Sequence, residues 1–184
     1  MADYYFISQL PSLDGIGENA ALPITCERFF ELCNRFLGKK ALREVESLTL
    51  MPGREQGNSG SALIDAWNNG ERNLRVALAR VRADKMKKTF DTSNKSLPAE
   101  LTRVASTAAE MDNPMEAEKF LDGYRLEFLE SLRPIDTFSD DYVFYYGLKL
   151  KLLMRIRKFD VAAGEAVYKK IYNSVLSGDN MEAI

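Results

Sequence analysis

Residues 113–132 run NPMEAEKFLDGYRLEFLESL, and residues 139–158 run SDDYVFYYGLKLKLLMRIRK. In the first stretch Asn113 stands where a helix cap belongs, and Pro114 suits a first helical turn that has no use for its missing N–H. Ala117, Leu121, Tyr124, Phe128 and Leu132 then recur at steps of three and four, which is one apolar face of a helix. In the second stretch Ser139 is the cap, and Asp140 and Asp141 sit in the electropositive first turn. Tyr142, Tyr145, Leu148, Leu152 and Ile156 make its stripe. Lys149, Lys151, Arg155, Arg157 and Lys158 crowd toward the C-terminal end, where the helix dipole favours cations. The two stripes predict one shared core built from Leu121, Tyr124, Phe128, Leu148, Leu152 and Ile156.

Outward from these helices the same spacing continues. Thr25 caps a helix with Phe29, Leu32, Cys33 and Phe36 on one face, closed by Gly38. A short helix follows over 39–51 with Leu42, Val45 and Leu48 inward. Residues 52–61, PGREQGNSGS, are the clearest break. A helical region then runs from near Ser61 to about Phe90, with Asn68-Asn69-Gly70 as a candidate interruption. Residues 91–97 read as loop, Pro98 opens a helix through Met111, and Asp160 caps a last helix to about Leu176. Residues 2–10 are open between helix and strand. No strand bounded by hairpin signals follows residue 10. The expected fold is all-α, a bundle of about six to seven helices. It forms a single domain over residues 1–184, or two lobes joined near 52–61.

Composition narrows the chemistry. The 184 residues are 46% hydrophobic and 28% charged, an ordinary globular balance, and the net charge is −2. There is no histidine. A Ser-His-Asp or Cys-His nucleophile system cannot be built within this chain, nor a zinc site with histidine ligands. Two cysteines cannot complete an all-cysteine zinc site. Cys26 and Cys33, seven residues apart on one helix, are too far apart for a disulfide between them. No run of about 18 apolar residues spans a membrane, and the N-terminus lacks the basic start of a secretory signal. These features lead us to expect a cytoplasmic protein that is not an enzyme and takes no cofactor or metal.

Several motifs have a chemical reading beside a plainer one. Gly15-x-Gly17-x-x-Ala20 matches a dinucleotide fingerprint by letters. It lacks the preceding strand and the immediate helix that pyrophosphate binding needs. Gly53 to Ser61 lacks the Gly-Lys-Ser/Thr ending of a phosphate loop, so it reads as a connection. The 72–88 stretch carries Arg72, Arg75, Arg80, Arg82, Lys85, Lys87 and Lys88 against Asp84. It is either a solvated helix, one facing an acidic partner, or a nucleic-acid site. Glu116, Glu118, Glu127 and Glu130 read as surface charge, and Tyr142, Phe144, Tyr145 and Tyr146 as core and interface.

A family resemblance enters at three places. Asn113-Pro114-Met115-Glu116-Ala117-Glu118, with Leu121-Asp122 and Arg125, resembles the Asn-Pro-Leu-x-x-Glu-x-x-Leu-Asp segment of the C/d-type subunits of V-type ATPases. Met115 stands where leucine is usual. Tyr146 to Arg157 is similar to a later helix of that family, and Trp67 to Ala83 falls in the expected order. Tyr4-Tyr5-Phe6 to Leu10-Pro11 and Leu13 resembles a short bacterial family of unassigned function associated with V-type ATPase gene sets. The chain is much shorter than a full-length member of the C/d type.

The resemblance implies a C/d-like helical fold and a non-catalytic connector between the rotor shaft and the proteolipid ring, peripheral to the inner membrane through its complex. Its partners would be the central-stalk and proteolipid subunits. The candidate contact residues are Tyr4, Tyr5 and Phe6, and a basic edge of Lys151, Arg155 and Lys158, which share one helix face at i, i+4 and i+7. The alternative function is a helical nucleic-acid or phosphate-binding module using Arg72, Arg75, Arg80 and Arg82.

Overall fold

The structure, a computed structural model, describes residues 4–16, 20–54, 57–89, 97–158 and 167–173. Among them there is no strand. The helices are α1 (Tyr4–Ser8), α2 (Cys26–Phe36), α3 (Lys39–Ser47), α4 (Ala62–Lys85), α5 (Ala99–Glu110), α6 (Pro114–Ser131) and α7 (Asp140–Ile156). Residues 167–173 are also helical. The expected Asp160 cap and the loop over 91–96 lie outside the described residues.

The helix starts follow local side-chain chemistry. Thr25 Oγ1 accepts from Arg28 N at 3.2 Å, Asn113 Oδ1 from Met115 N at 3.0 Å, and Ser139 Oγ from Tyr142 N at 3.2 Å. Each satisfies a backbone donor that has no partner inside its helix. Ser61 does the same for α4, accepting from Ile64 N while donating to Asp141 Oδ1 at 2.6 Å. That bond ties the start of α4 to the first turn of α7.

Three expectations need correction. Gly38 does not close α2 in a left-handed turn. Leu37, extended, ends that helix, and Gly38 is the cap of α3 with φ −69°. Asn68-Asn69-Gly70 does not interrupt α4, which is continuous over 24 residues, or about 36 Å at the α-helical rise. Gly70 is there for packing. A Cβ at that position would lie 2.3 Å from Phe128 Cε1, so glycine makes room for the Phe128 ring and any side chain here would have to displace it. Nor is α7 apolar on one face alone. Every residue from Val143 through Leu150 is buried, so α7 is the central helix of the molecule.

The core is in two parts, and the six residues of the two stripes do not all meet in one. The larger part gathers α1, α2, α3, the first half of α4, the end of α6 and α7, with Phe6, Phe29, Trp67, Leu129, Leu148 and Leu152 inside. The smaller holds Leu74, Ala77 and Leu78 of α4, Leu101, Val104 and Ala105 of α5, and Leu121 of α6. Phe128 and Ile156 pack on the first, and Tyr124 packs on the second. Both α4 and α6 run through both parts. The loop before α4 is not loose at its start. Arg72 Nε donates to Gly53 O at 2.9 Å, and Trp67 Nε1 donates to Thr49 O at 3.1 Å.

Candidate functional site

Between the two apolar clusters lies a layer of charge drawn from three helices. Glu71 of α4 sits one turn before Arg75 and two turns before Leu78, so the helical period turns it inward with the core residues. It is buried, as are Asp122 and Arg125 of α6. Arg125 donates from Nε to Glu71 Oε2 at 2.9 Å, from Nη2 to Glu71 Oε1 at 3.2 Å, and from Nη1 to Asp122 Oδ1 at 2.8 Å. The fork on Glu71 is bidentate, the strongest form of this pair.

The layer reaches the surface on both sides. Arg75 Nε donates to Glu71 Oε1 at 3.0 Å, and its other nitrogens donate to the carbonyls of Pro52 and Leu50 at 3.3 Å. Arg155 of α7 donates to Glu118 Oε2 at 2.7 Å and lies 3.4 Å from Asp122 Oδ1. Three carboxylates thus meet three guanidinium groups, and the charge balances.

Burial works against the charge of Arg125, but the hydrogen bonds and charge of Glu71, with Asp122, outweigh it and hold its pKa above the usual value. Asp122 goes the other way. Burial raises its pKa against the pull of Arg155 and Arg125. Its Oδ2 is buried and meets no hydrogen-bond donor among the described residues. Guanidinium groups occupy these carboxylates, so they serve as structural anchors. Among the described residues no group of three or more acidic or cysteine side chains is arranged to hold a metal.

A second polar cluster pins residues 10–16 against α7. Lys149 Nζ lies 2.5 Å from Asp14 Oδ1 and 2.5 Å from Glu130 Oε1, and it donates to Tyr145 Oη at 3.2 Å. Tyr146 Oη donates to the Pro11 carbonyl at 2.8 Å. The hydrogen bond from Lys149 holds the Asp14 carboxyl below its ordinary range despite some desolvation. Burial opposes the Lys149 charge, but Asp14, Glu130 and Tyr145 more than offset it and raise its pKa. Sequence spacing reads Glu130 as surface charge and Lys149 as a complement to the helix dipole, and the partner that joins Lys149 to the N-terminal loop, Asp14, is more than a hundred residues away in the chain.

The residues singled out from sequence fall in different places. Phe6 is fully buried and stacks on Phe36, with centroids 5.7 Å apart. Tyr4 and Tyr5 are 73% and 58% exposed, and Tyr4 stacks at 5.5 Å on Phe138, itself 39% exposed. Lys151, Arg155 and Lys158 do not make a common basic edge. Lys151 Nζ donates to Leu48 O and lies over the Phe30 ring, and burial lowers its pKa. Arg155 belongs to the charge layer, and Lys158 is exposed. Of the four arginines in the nucleic-acid alternative, Arg72 and Arg75 bind loop carbonyls, and Arg80 and Arg82 are exposed.

Residues 89–179 match the model of a family described as a protein of unknown function (DUF2764). That span contains Glu118, Asp122, Arg125 and Arg155 but not Glu71, the partner of Arg125, or Arg75, which pairs with Glu71. No curated protein and no solved structure matches the chain. No helix among the described residues is long and apolar enough to cross a membrane.

Proposed function

We propose that this chain is a non-catalytic connector, a C/d-like accessory part of a bacterial V-type ATPase that joins the rotor shaft to the proteolipid ring. The reading starts from the resemblance of residues 113–125 and 146–157. One observation supports it above the others: those two segments are neighbouring helices joined by Arg155 to Glu118 and Asp122, and through Arg125 to Glu71 of α4. A part that transmits torque has to resist deformation between its attachment points. A charge-balanced layer across three helices supplies such resistance, because sliding one helix would strand buried charge.

The surface for such a contact is best sought at Tyr4, Tyr5 and Phe138, whose rings are exposed, with Lys158 as a further candidate. Reversing Lys151 and Arg155 is a poor probe, because both hold the fold together.

The test is affinity purification of the tagged chain from its native cells in a mild detergent that keeps the ATPase whole. The connector role requires recovery of rotor-shaft and proteolipid subunits with the tag, and reduced recovery for Tyr4→Ser with Tyr5→Ser at unchanged helicity. Recovery of the chain alone beside an intact ATPase would remove the proposal.

A further inference from the structure

The C-terminal end of α4 carries a feature that the charge layer and the aromatic surface leave unexplained. A groove of about 340 Å³ opens between the last turns of α4 and α5 and the first turn of α6. Its floor is apolar, with Ala108, Met111 and Ala117, and its rim carries Arg82, Lys85 and Met86. Lys87 and Lys88 continue the charge immediately beyond the helix, and both are exposed. Arg82 and Lys85 lie one turn apart on the same helix face. Lys85 caps the Ala109 carbonyl, which leaves its side chain along the groove edge. Among the described residues that line the groove, Glu118 is the one carboxylate, and Arg155 holds it.

Two more observations mark this end of α4. Met86 is 65% exposed, a large apolar side chain among cations. Lys87 adopts φ +54°, where glycine is the usual occupant of a helix terminus and a side chain costs free energy. Lys87 carries its charge just past the helix end in spite of that backbone strain.

We propose that this groove is a docking site for an acidic, amphipathic segment of a partner protein, with apolar side chains seated on the floor and carboxylates meeting Arg82 on the rim and the exposed Lys87 and Lys88 that follow it in the chain. Charge complementarity selects the acid. The apolar floor selects a peptide over a nucleic acid, since among the described residues no aromatic ring lines the groove to stack a base. The volume is at the small end of the range of about 300–1,000 Å³ for ligand pockets, room for one or two side chains of a helix. The inference does not depend on the ATPase reading, because any partner with this chemistry would fit.

The test uses the full chain and a displayed library of random 12-residue peptides, panned at low salt. Selected peptides should combine Asp or Glu with Leu, Met or Phe at helical spacing. A synthetic copy of one should bind at least tenfold more weakly to Arg82→Glu with Lys88→Glu, and more weakly as salt rises. Lys87→Gly separates binding from folding: it should raise the melting temperature yet lower peptide affinity severalfold. Three results would overturn the proposal. One is the absence of any selected binder. Another is selection without acidic residues, or with affinity indifferent to both variants. The third is a 20-base-pair DNA duplex that binds more tightly than the peptide and displaces it.

Discussion

Cys33 is fully buried on the inner face of α2, and that burial pushes its thiol pKa from about 9 up to about 12. Between those values the folded protein keeps a proton that the unfolded chain gives up. Stability from this residue is therefore complete below pH 9 and falls as pH rises. Each pH unit is worth about 1.4 kcal/mol, so the wild type should lose about 2 kcal/mol more than Cys33→Ala between pH 8 and 10.5. Urea denaturation at the two pH values measures this, and equal losses would contradict the burial. Tyr145, raised to about 12 mainly by burial and then by its bond to Glu130, adds a further alkaline loss above pH 10 in both proteins. The place of Cys33 is legible in the sequence because its neighbours Phe29, Leu32 and Phe36 share its helical face. Phe6 is not separable from Tyr4 and Tyr5 in the same way, since three adjacent aromatics on a five-residue helix show no period.

At the scale of elements, two glycines with the same letter call for opposite outcomes. Gly70 and Gly123 are both inside helices, where alanine is intrinsically better by about 1 kcal/mol. A methyl at Gly123 meets nothing within 4 Å, so Gly123→Ala should stabilise by up to that amount. A methyl at Gly70 enters the Phe128 ring, and overpacking of about 1–3 kcal/mol should win. Gly70→Ala should therefore melt lower, and adding Phe128→Leu should recover most of the loss. The layer between α4, α6 and α7 gives a sharper test. Arg125→Met leaves Glu71 and Asp122 buried beside fewer cations and should cost about 3–5 kcal/mol. Adding Glu71→Gln should restore part of it in denaturant melts, and strictly additive losses would show that the pair is not coupled. Caps and helix existence are legible because Thr25, Ser139 and Asn113 act within three residues of themselves. The layer is not, because Glu71 and Arg125 are 54 residues apart and each reads alone as a solvated charge.

The whole molecule turns on whether the two apolar clusters are one body. Composition and turn signals mark 52–61 as the candidate joint between lobes. The apolar clusters divide elsewhere, across the middle of α4 and α6, both of which are continuous there. Local sequence shows where the chain turns but not which halves of a long helix face which neighbours. That depends on α7, whose burial on every side a single stripe could not reveal. Shared helices and a paired charge layer should make the clusters unfold together. Native-state hydrogen exchange measures this most directly, because it reports an opening free energy for each amide. The account predicts that the slowest amides near Leu74 and Leu121 and those near Leu129 and Leu148 share one opening free energy and one denaturant dependence, equal to global unfolding. Two separate values, with the α5 cluster opening first while α7 stays protected, would contradict it.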